Sequence, residues 1–140
     1  VHAANAVLAS RAAFWQIPNR VYWTVRTGTA ELALKVKPCG KIGEYLFTTL
    51  MKFNADRRNS QGWPRGEDWT LGDNPLVTVL MNIHQDTDKY DEQPALRITP
   101  DCNYEQVEGR RKIRVYRSVD VRMILEDFFA KMQLAYGKTE

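Results

Sequence analysis

The sequence predicts a mixed α+β domain of antiparallel sheets with helices packed on them, in which strands are followed by a helix twice. Short segments alternate apolar and polar residues with the period of two that strands require. Two longer segments repeat apolar residues with the period of a helix, and each follows such strands. The chain has 140 residues, a length that suits one domain covering residues 1–140.

The first unit is predicted to be a β-hairpin followed by a helix. Apolar residues alternate with polar ones in 20–26 and again in 31–37, so each segment is predicted to be a strand. Gly28, between them, is predicted to form the turn with a positive φ angle. Apolar residues then recur at helical spacing in 41–54, which predicts an amphipathic helix.

The second unit is predicted to lie at the end of the chain. Ile113 and Val115 alternate with polar residues in 112–117, which predicts a strand with Lys112, Arg114 and Tyr116 facing outward. An apolar stripe then predicts a helix over 121–136. Between the units the sequence predicts, in order, a loop at 55–75, a continuous apolar strand at 76–83, an acidic loop at 85–94 and a short strand at 95–99.

Positive charge is concentrated in two separate segments. The net charge is +3, but residues 1–55 hold seven lysines and arginines against two glutamates. Residues 56–108 hold five bases against eleven acids, and residues 109–117 hold five bases and no acid. Two basic segments that meet on one face would attract a polyanion. The alternative is a solvated surface on which like charges cluster by chance.

The outward side chains of the predicted strands are candidate nucleic-acid contacts. A sheet holds alternate side chains at fixed spacing, so that cations can neutralise phosphates while interleaved rings stack on unpaired bases. The alternative is a solvated sheet whose lysines and arginines protect its edges. The predicted RNA-binding residues are Arg20, Tyr22, Arg26, Lys35, Lys37, Arg97, Lys112, Arg114, Tyr116 and Arg117.

Two tryptophans lie in the polar segment 61–69. Trp63 and Trp69 are predicted to pack onto the core, because large exposed indole rings are uncommon. The functional alternative is stacking on a base, with Arg65 in support.

No catalytic, metal or cofactor site is predicted, and the chain is not expected to be an enzyme. The two histidines, His2 and His84, build no Ser-His-Asp or Cys-His arrangement, and phosphate-binding glycine loops are absent from the sequence. His84, Asp86 and Asp88 could offer ligands to a hard cation, but a solvated acidic loop is the expected state. The sequence also contains no apolar run long enough to span a membrane.

Three segments resemble the Whirly fold, a family of single-stranded-DNA-binding plant proteins and kinetoplastid mitochondrial RNA-binding proteins. Residues 25–32 resemble the family's glycine-centred first hairpin, 41–46 the opening of its first helix, and 117–137 its closing strand and helix. The family places four strands before each helix, so the resemblance requires further short strands, for which residues 6–9 and 13–17 are the candidates.

The resemblance implies a specific function. The chain would be one subunit of a heterotetramer with a related chain, and its sheets would bind guide RNA through phosphates with little sequence specificity. Holding the backbone would leave the bases free to anneal with pre-messenger RNA. The basic character and the acid-poor, alanine-rich first 30 residues favour the mitochondrial RNA-binding branch, and hence a mitochondrial location and a role in RNA editing.

Two other functions remain open at this stage. A protein of the same fold could bind single-stranded DNA, since the 2′-hydroxyl contacts that select RNA are invisible in a sequence. An α+β enzyme or small-ligand binder could instead use the acidic middle segment.

Overall fold

A computed structural model describes residues 1–56, 67–81 and 87–137 and shows a mixed α+β fold with three small sheets. The helices in these residues are α1 His2–Ala9, α2 Asn19–Tyr22, α3 Thr29–Lys35, α4 Gly40–Ala55, α5 Pro75–Met81 and α6 Val121–Tyr136. The strands are β1 Trp15–Gln16, β2 Arg26–Gly28, β3 Asp68–Thr70, β4 Lys89–Pro94, β5 Arg97–Ile98, β6 Tyr104–Glu105 and β7 Lys112–Ser118.

The largest sheet has β7 at its centre. β1 pairs with β7 in parallel and β4 pairs with it in antiparallel orientation, so this sheet is mixed, whereas antiparallel sheets were predicted. The other two sheets, β2–β3 and β5–β6, are antiparallel pairs. One face of β7 packs through Ile113 and Val115 in a small core with Leu8 and Ala95. Burial of these apolar side chains fixes which face of β7 points away from α1.

The main core lies where α3, α4 and α6 meet. Leu32 of α3 and Val36, the C-cap of this helix, pack with Ile124 and Phe129 of α6, and α4 contributes partly buried side chains. Asp120 is the N-cap of α6, and its carboxylate accepts a hydrogen bond from the Met123 backbone nitrogen at 2.9 Å. Such a cap satisfies a backbone donor that the first helical turn leaves unpaired.

Three predicted elements are confirmed. The predicted helices at 41–54 and 121–136 are α4 and α6, and the predicted strand at 112–117 is β7. The short strand predicted at 95–99 is present in part as β5. Each of the long helices shows a clear 3.6-residue apolar period, which is the sequence signal least open to another interpretation.

The predicted first hairpin is wrong. Residues 19–22 form α2 and residues 29–35 form α3, so that Arg26, the first residue of β2, is the one position of the two predicted strands that lies in a strand. Gly28 has a φ of −76° and forms the N-cap of α3, so it makes no left-handed turn. The first strands-then-helix unit is therefore a pair of helices, α3 and α4, and the predicted internal repeat is absent at this position.

Buried side chains four residues apart explain this error. Val21 and Val25 are buried, whereas Trp23, which the alternating pattern placed inside, is 42% exposed. Leu32 and Val36 are likewise buried, and Leu34 between them is 74% exposed. A spacing of four belongs to a helical face and a spacing of two to a strand, and the sequence permits both readings.

Four predictions for the other segments are also wrong. The described part of the strand predicted at 76–83, residues 76–81, lies in α5, which begins at Pro75, a residue suited to the first helical position. The acidic loop predicted at 85–94 contains strand β4, and the loop predicted at 55–75 contains strand β3. Of the short strands that the resemblance requires, 6–9 lies in α1, whereas 13–17 contains β1.

A polar network ties α3 to α6. Glu31 accepts hydrogen bonds from the Thr27 hydroxyl at 2.6 Å and from Lys35 Nζ at 3.0 Å, and Lys35 Nζ also donates to Glu126 at 2.8 Å. The Thr27 hydroxyl, followed by Lys35, lowers the pKa of Glu31 below its ordinary value. At pH values above the ordinary glutamate pKa, a carboxyl group whose pKa is lowered in the folded state stabilises that state. This stabilisation is lost as the pH falls through the folded-state pKa.

Glu31→Gln is therefore expected to flatten the acid side of the stability profile. The wild-type chain loses the contribution of Glu31 as pH falls through the lowered pKa, whereas the glutamine variant has no carboxylate to protonate. Urea unfolding at a series of pH values from neutral to acid measures this difference. Glu44→Gln, at an exposed glutamate of α4, is the matched control and should keep the wild-type profile. An unchanged profile in Glu31→Gln would contradict the role of this network.

Candidate nucleic-acid interface

One face of the largest sheet carries a cluster of aromatic and basic side chains. Residues directly opposite each other on paired strands share a face, and Arg114 lies opposite Trp15 of β1, while Tyr116 lies opposite Tyr90 of β4. Lys112 and Arg114 share this face because side chains alternate along β7. We call this surface, formed by Trp15, Tyr90, Lys112, Arg114 and Tyr116, the Arg114 face.

Arg114 is held between two aromatic rings. Its guanidinium carbon lies 4.7 Å from the ring centroid of Trp15 and 4.6 Å from that of Tyr90. Both distances are within the range of cation–π attraction, and two rings therefore fix the guanidinium plane. A planar guanidinium held in this way offers its N–H groups in a fixed fork, the geometry that recognises a phosphate through two hydrogen bonds.

Tyr116 packs its ring against the aromatic rings that contact Arg114. Its ring centroid lies 5.6 Å from that of Tyr90 and 6.4 Å from that of Trp15. The sequence predicted an outward Tyr116, but its side chain is buried, and α2 contacts β7. Burial raises the pKa of Tyr116, and the neighbouring Arg114 acts in the opposite direction. Tyr116 therefore acts as packing beneath the face, and Tyr90, 39% exposed, presents the accessible ring.

The charge of Arg114 has no ionic partner within the described residues. Glu92 lies opposite Arg114 on β4 and shares its face, yet the two side chains form no ion pair. Lys112, two residues before Arg114, is exposed at the start of the strand. The face therefore carries the two positive charges of Lys112 and Arg114, which a polyanion could approach, beside the one negative charge of Glu92.

Arg117 belongs to the other side of β7. Its Nε lies 3.3 Å from a carboxylate oxygen of Asp91, which shares a face with Val115. An exposed ion pair of this kind contributes about 0–1 kcal/mol and reduces the charge that Arg117 offers to a phosphate. The sequence placed Arg117 with Lys112 and Arg114, but the structure separates them.

The other predicted contacts do not join the Arg114 face. Arg26 forms an ion pair with Asp68 in the second sheet, and Arg97 forms one with Glu105 at 3.2 Å in the third. Lys35 and Lys37 lie on or just after α3 instead of on a strand. Lys35 pairs with Glu31 and Glu126, and the Lys37 Nζ lies 5.3 Å from the Phe47 ring centroid.

Two predicted residues lie on α2, the helix that contacts β7. Arg20 is exposed on α2, although the sequence placed it on a strand. Tyr22, at the end of α2, is half-buried and packs edge-on against Trp23, with ring centroids 5.5 Å apart. α2 therefore brings one cation and one ring towards the sheet from outside it.

No protein-family model matches the chain, and no curated protein matches it either. The resemblance in sequence to the Whirly fold therefore stays a prediction. None of the helices in the described residues combines the length and apolar character that crossing a membrane requires.

In its described residues, the acidic segment holds no cluster of metal-ligating side chains. In 1–56, 67–81 and 87–137, no three histidine, cysteine, aspartate or glutamate side chains lie together as metal ligands would. Asp88 accepts a hydrogen bond from the Asp120 backbone nitrogen at 3.0 Å, which ties β4 to the start of α6. His84 and Asp86 lie outside the described residues, as do Trp63 and Arg65.

The sequence did not identify Trp15 or Tyr90 as site residues. Tyr90 lies in a segment that reads as a polar loop, because Lys89–Pro94 contains no aliphatic residue that would mark a strand. Trp15 belongs to a strand of two residues, Trp15–Gln16, that is too short to show a period. The available signal was the aromatic side chain itself, since tyrosine and tryptophan favour strands.

Proposed function

We propose that this chain binds single-stranded RNA on the Arg114 face, through phosphate contacts that do not depend on sequence. The observation that carries this proposal is the Arg114 guanidinium, held between Trp15 and Tyr90 without an ionic partner among the described residues. Arg114 belongs to the segment 109–117, which holds five bases and no acid. A fixed cation next to an accessible ring supplies both elements of single-strand binding, phosphate neutralisation and base stacking.

The resemblance extends the proposal to a particular RNA and setting. The RNA would be a guide RNA, held by its backbone so that most bases stay free to anneal with a second strand. The chain would act as one subunit of a heterotetramer with a related, Whirly-like chain in mitochondria. What supports this extension is the sequence resemblance, together with the physical point that neutralised phosphates repel an approaching strand less.

Affinity for RNA is expected to fall steeply with salt. Each phosphate contacted on a single strand contributes a slope of about −0.7 to the plot of log affinity against log salt. Lys112 and Arg114 together thus predict a slope of about −1.4 or steeper, measured by filter binding of a 12-nucleotide RNA. Single-stranded DNA of the same length, tested alongside, measures the preference for RNA. A slope near zero for both strands would remove the proposed function.

A further inference from the structure

Four aromatic side chains line an open cavity next to the end of α2. Tyr22, Trp23, Phe53 and Trp69, with Leu50 and Thr70, line a cavity of about 360 Å³. The lining is mostly apolar, and the volume lies within the range of small-molecule pockets. The predicted packing of Trp69 onto the core is confirmed, since it packs beside the core of α3 and α6 and also forms a wall of this cavity.

The rings are held in place before any ligand arrives. Phe53 and Trp69 meet edge-to-face with centroids 5.8 Å apart, the same type of contact that Tyr22 makes with Trp23. Gly72 contacts the Tyr22 ring so closely that a Cβ atom at this position would collide with it. The backbone at Gly72 therefore supports the Tyr22 ring, and edge-to-face contacts orient the other rings. Because the rings are already ordered, less entropy is lost when a ligand binds.

The chemistry of the lining selects a flat aromatic ligand. Rings stack on or meet the edge of another planar π system, and Thr70 adds a hydroxyl group for a polar edge. Aromatic cages also bind quaternary ammonium groups, but neighbouring positive charges disfavour such cationic ligands. Two exposed cations are close in sequence to residues of the lining, Arg20 to Tyr22 and Lys52 to Phe53. Within the described residues, no carboxylate lines the cavity.

We infer that the cavity takes one nucleobase of the single strand whose phosphates lie on the Arg114 face. This inference rests on the proposed function. α2 connects the two sites, because it contacts β7 and its last residue, Tyr22, lines the cavity. Arg20, exposed on the same helix, would add a third cation for the phosphates of the bound strand. One anchored base fixes the position of the strand and leaves its other bases free to pair.

Nuclear magnetic resonance of the indole N–H groups tests occupancy of the cavity directly. Adenosine 5′-monophosphate is expected to shift the signals of Trp23 and Trp69, whereas the signal of Trp15, next to Arg114, responds only to phosphate bound at the Arg114 face. Ribose 5-phosphate, which lacks the base, should shift neither the Trp23 nor the Trp69 signal. A shift caused by choline instead of adenosine 5′-monophosphate would identify a cation cage, and an absence of any shift with the nucleotide would also overturn the inference.

Substitution of Trp23 tests whether the bound strand uses the cavity. Trp23 is 42% exposed, so Trp23→Ala should fold, and circular dichroism checks this. We expect Trp23→Ala to weaken binding of a 12-nucleotide RNA by roughly tenfold and to leave an abasic strand of the same length unaffected. Trp23→Phe, which keeps a ring, is the matched control and should retain most of the affinity.

The outcomes separate this inference from the proposed function. Equal affinity of wild type and Trp23→Ala, with a steep salt dependence in both, would overturn the base site and leave phosphate binding intact. An equal loss with the abasic strand would likewise overturn it, since no base would be involved. Nucleotide-induced shifts of Trp23 without any RNA binding would overturn the proposed function and restrict the cavity to free nucleotides.

Discussion

Replacing Lys112 and Arg114 together by alanine is expected to weaken RNA binding on the order of 100-fold at low salt. Both side chains lie on the same face of β7, and Arg114 has no ionic partner in the described residues. Each removed cation takes away a charge-assisted hydrogen bond to phosphate and the release of one counterion. The salt slope should therefore fall in magnitude by about 1.4, equally for RNAs of different sequence.

Arg117→Ala is the matched control for this experiment. It removes one positive charge from the same strand, but from the opposite face, where Arg117 pairs with Asp91 at 3.3 Å. Its affinity and salt slope should stay close to those of the wild type. A loss in Arg117→Ala as large as in the double variant would place the contact surface elsewhere and contradict the assignment to the Arg114 face.

A third variant, Arg114→Lys, separates charge from geometry. Lysine keeps the positive charge but lacks the planar fork that Trp15 and Tyr90 hold in place. We expect Arg114→Lys to preserve the salt slope and to lose part of the affinity. Thermal unfolding of every variant is measured alongside, because Arg114 also packs between two rings and its removal affects the fold by about 1 kcal/mol per exposed cation–π contact.

The Arg114 face could be predicted in part because β7 is a strand of ordinary kind. Ile113 and Val115 face a core, so the alternation places Lys112 and Arg114 on the opposite side. The partners that complete the face lie on β1 and β4, far away in sequence. The pairing of β1 and β4 with β7 depends on tertiary contacts. It cannot be predicted from the local sequence of β1 and β4, because neither segment shows a clear strand period.

The first half of the chain was predicted less well for a different reason. Residues 29–35 contain alanine, leucine, glutamate and lysine, all strong helix formers, and this propensity opposes the alternating pattern. Leu32 and Val36 reach the core from one helical face, and Leu34 remains exposed. Over seven residues, periods of two and of four share too many positions to be told apart, and propensity was the better guide here.

The close packing of α4 on the end of α3 gives the prediction with the largest effect on stability. Gly43, in the first turn of α4, is buried against the Val36 carbonyl group. A Cβ atom there would collide with that oxygen and lie 2.9 Å from the Cβ of Cys39. Because the obstacle is backbone, it cannot move aside by changing a rotamer, and α3 and α4 would have to separate.

Gly43→Ala is therefore expected to destabilise the protein by on the order of 3 kcal/mol. Alanine in a helix interior normally gains about 1 kcal/mol over glycine, so propensity alone predicts the opposite sign. The collision decides the sign, since the core of Leu32, Val36 and Phe129 loses contact when the helices move apart. Urea unfolding monitored by circular dichroism gives the difference in the free energy of unfolding.

Gly28→Ala is the control that isolates the collision from the loss of a glycine. Gly28 has an ordinary negative φ, and a Cβ atom there would lie 3.6 Å from its nearest neighbour, an ordinary van der Waals contact. As an N-cap, the position should lose less than about 1 kcal/mol on substitution. If Gly43→Ala were no less stable than Gly28→Ala, no collision would oppose the gain in helix propensity. The close approach of α3 and α4 through Gly43 would then be contradicted.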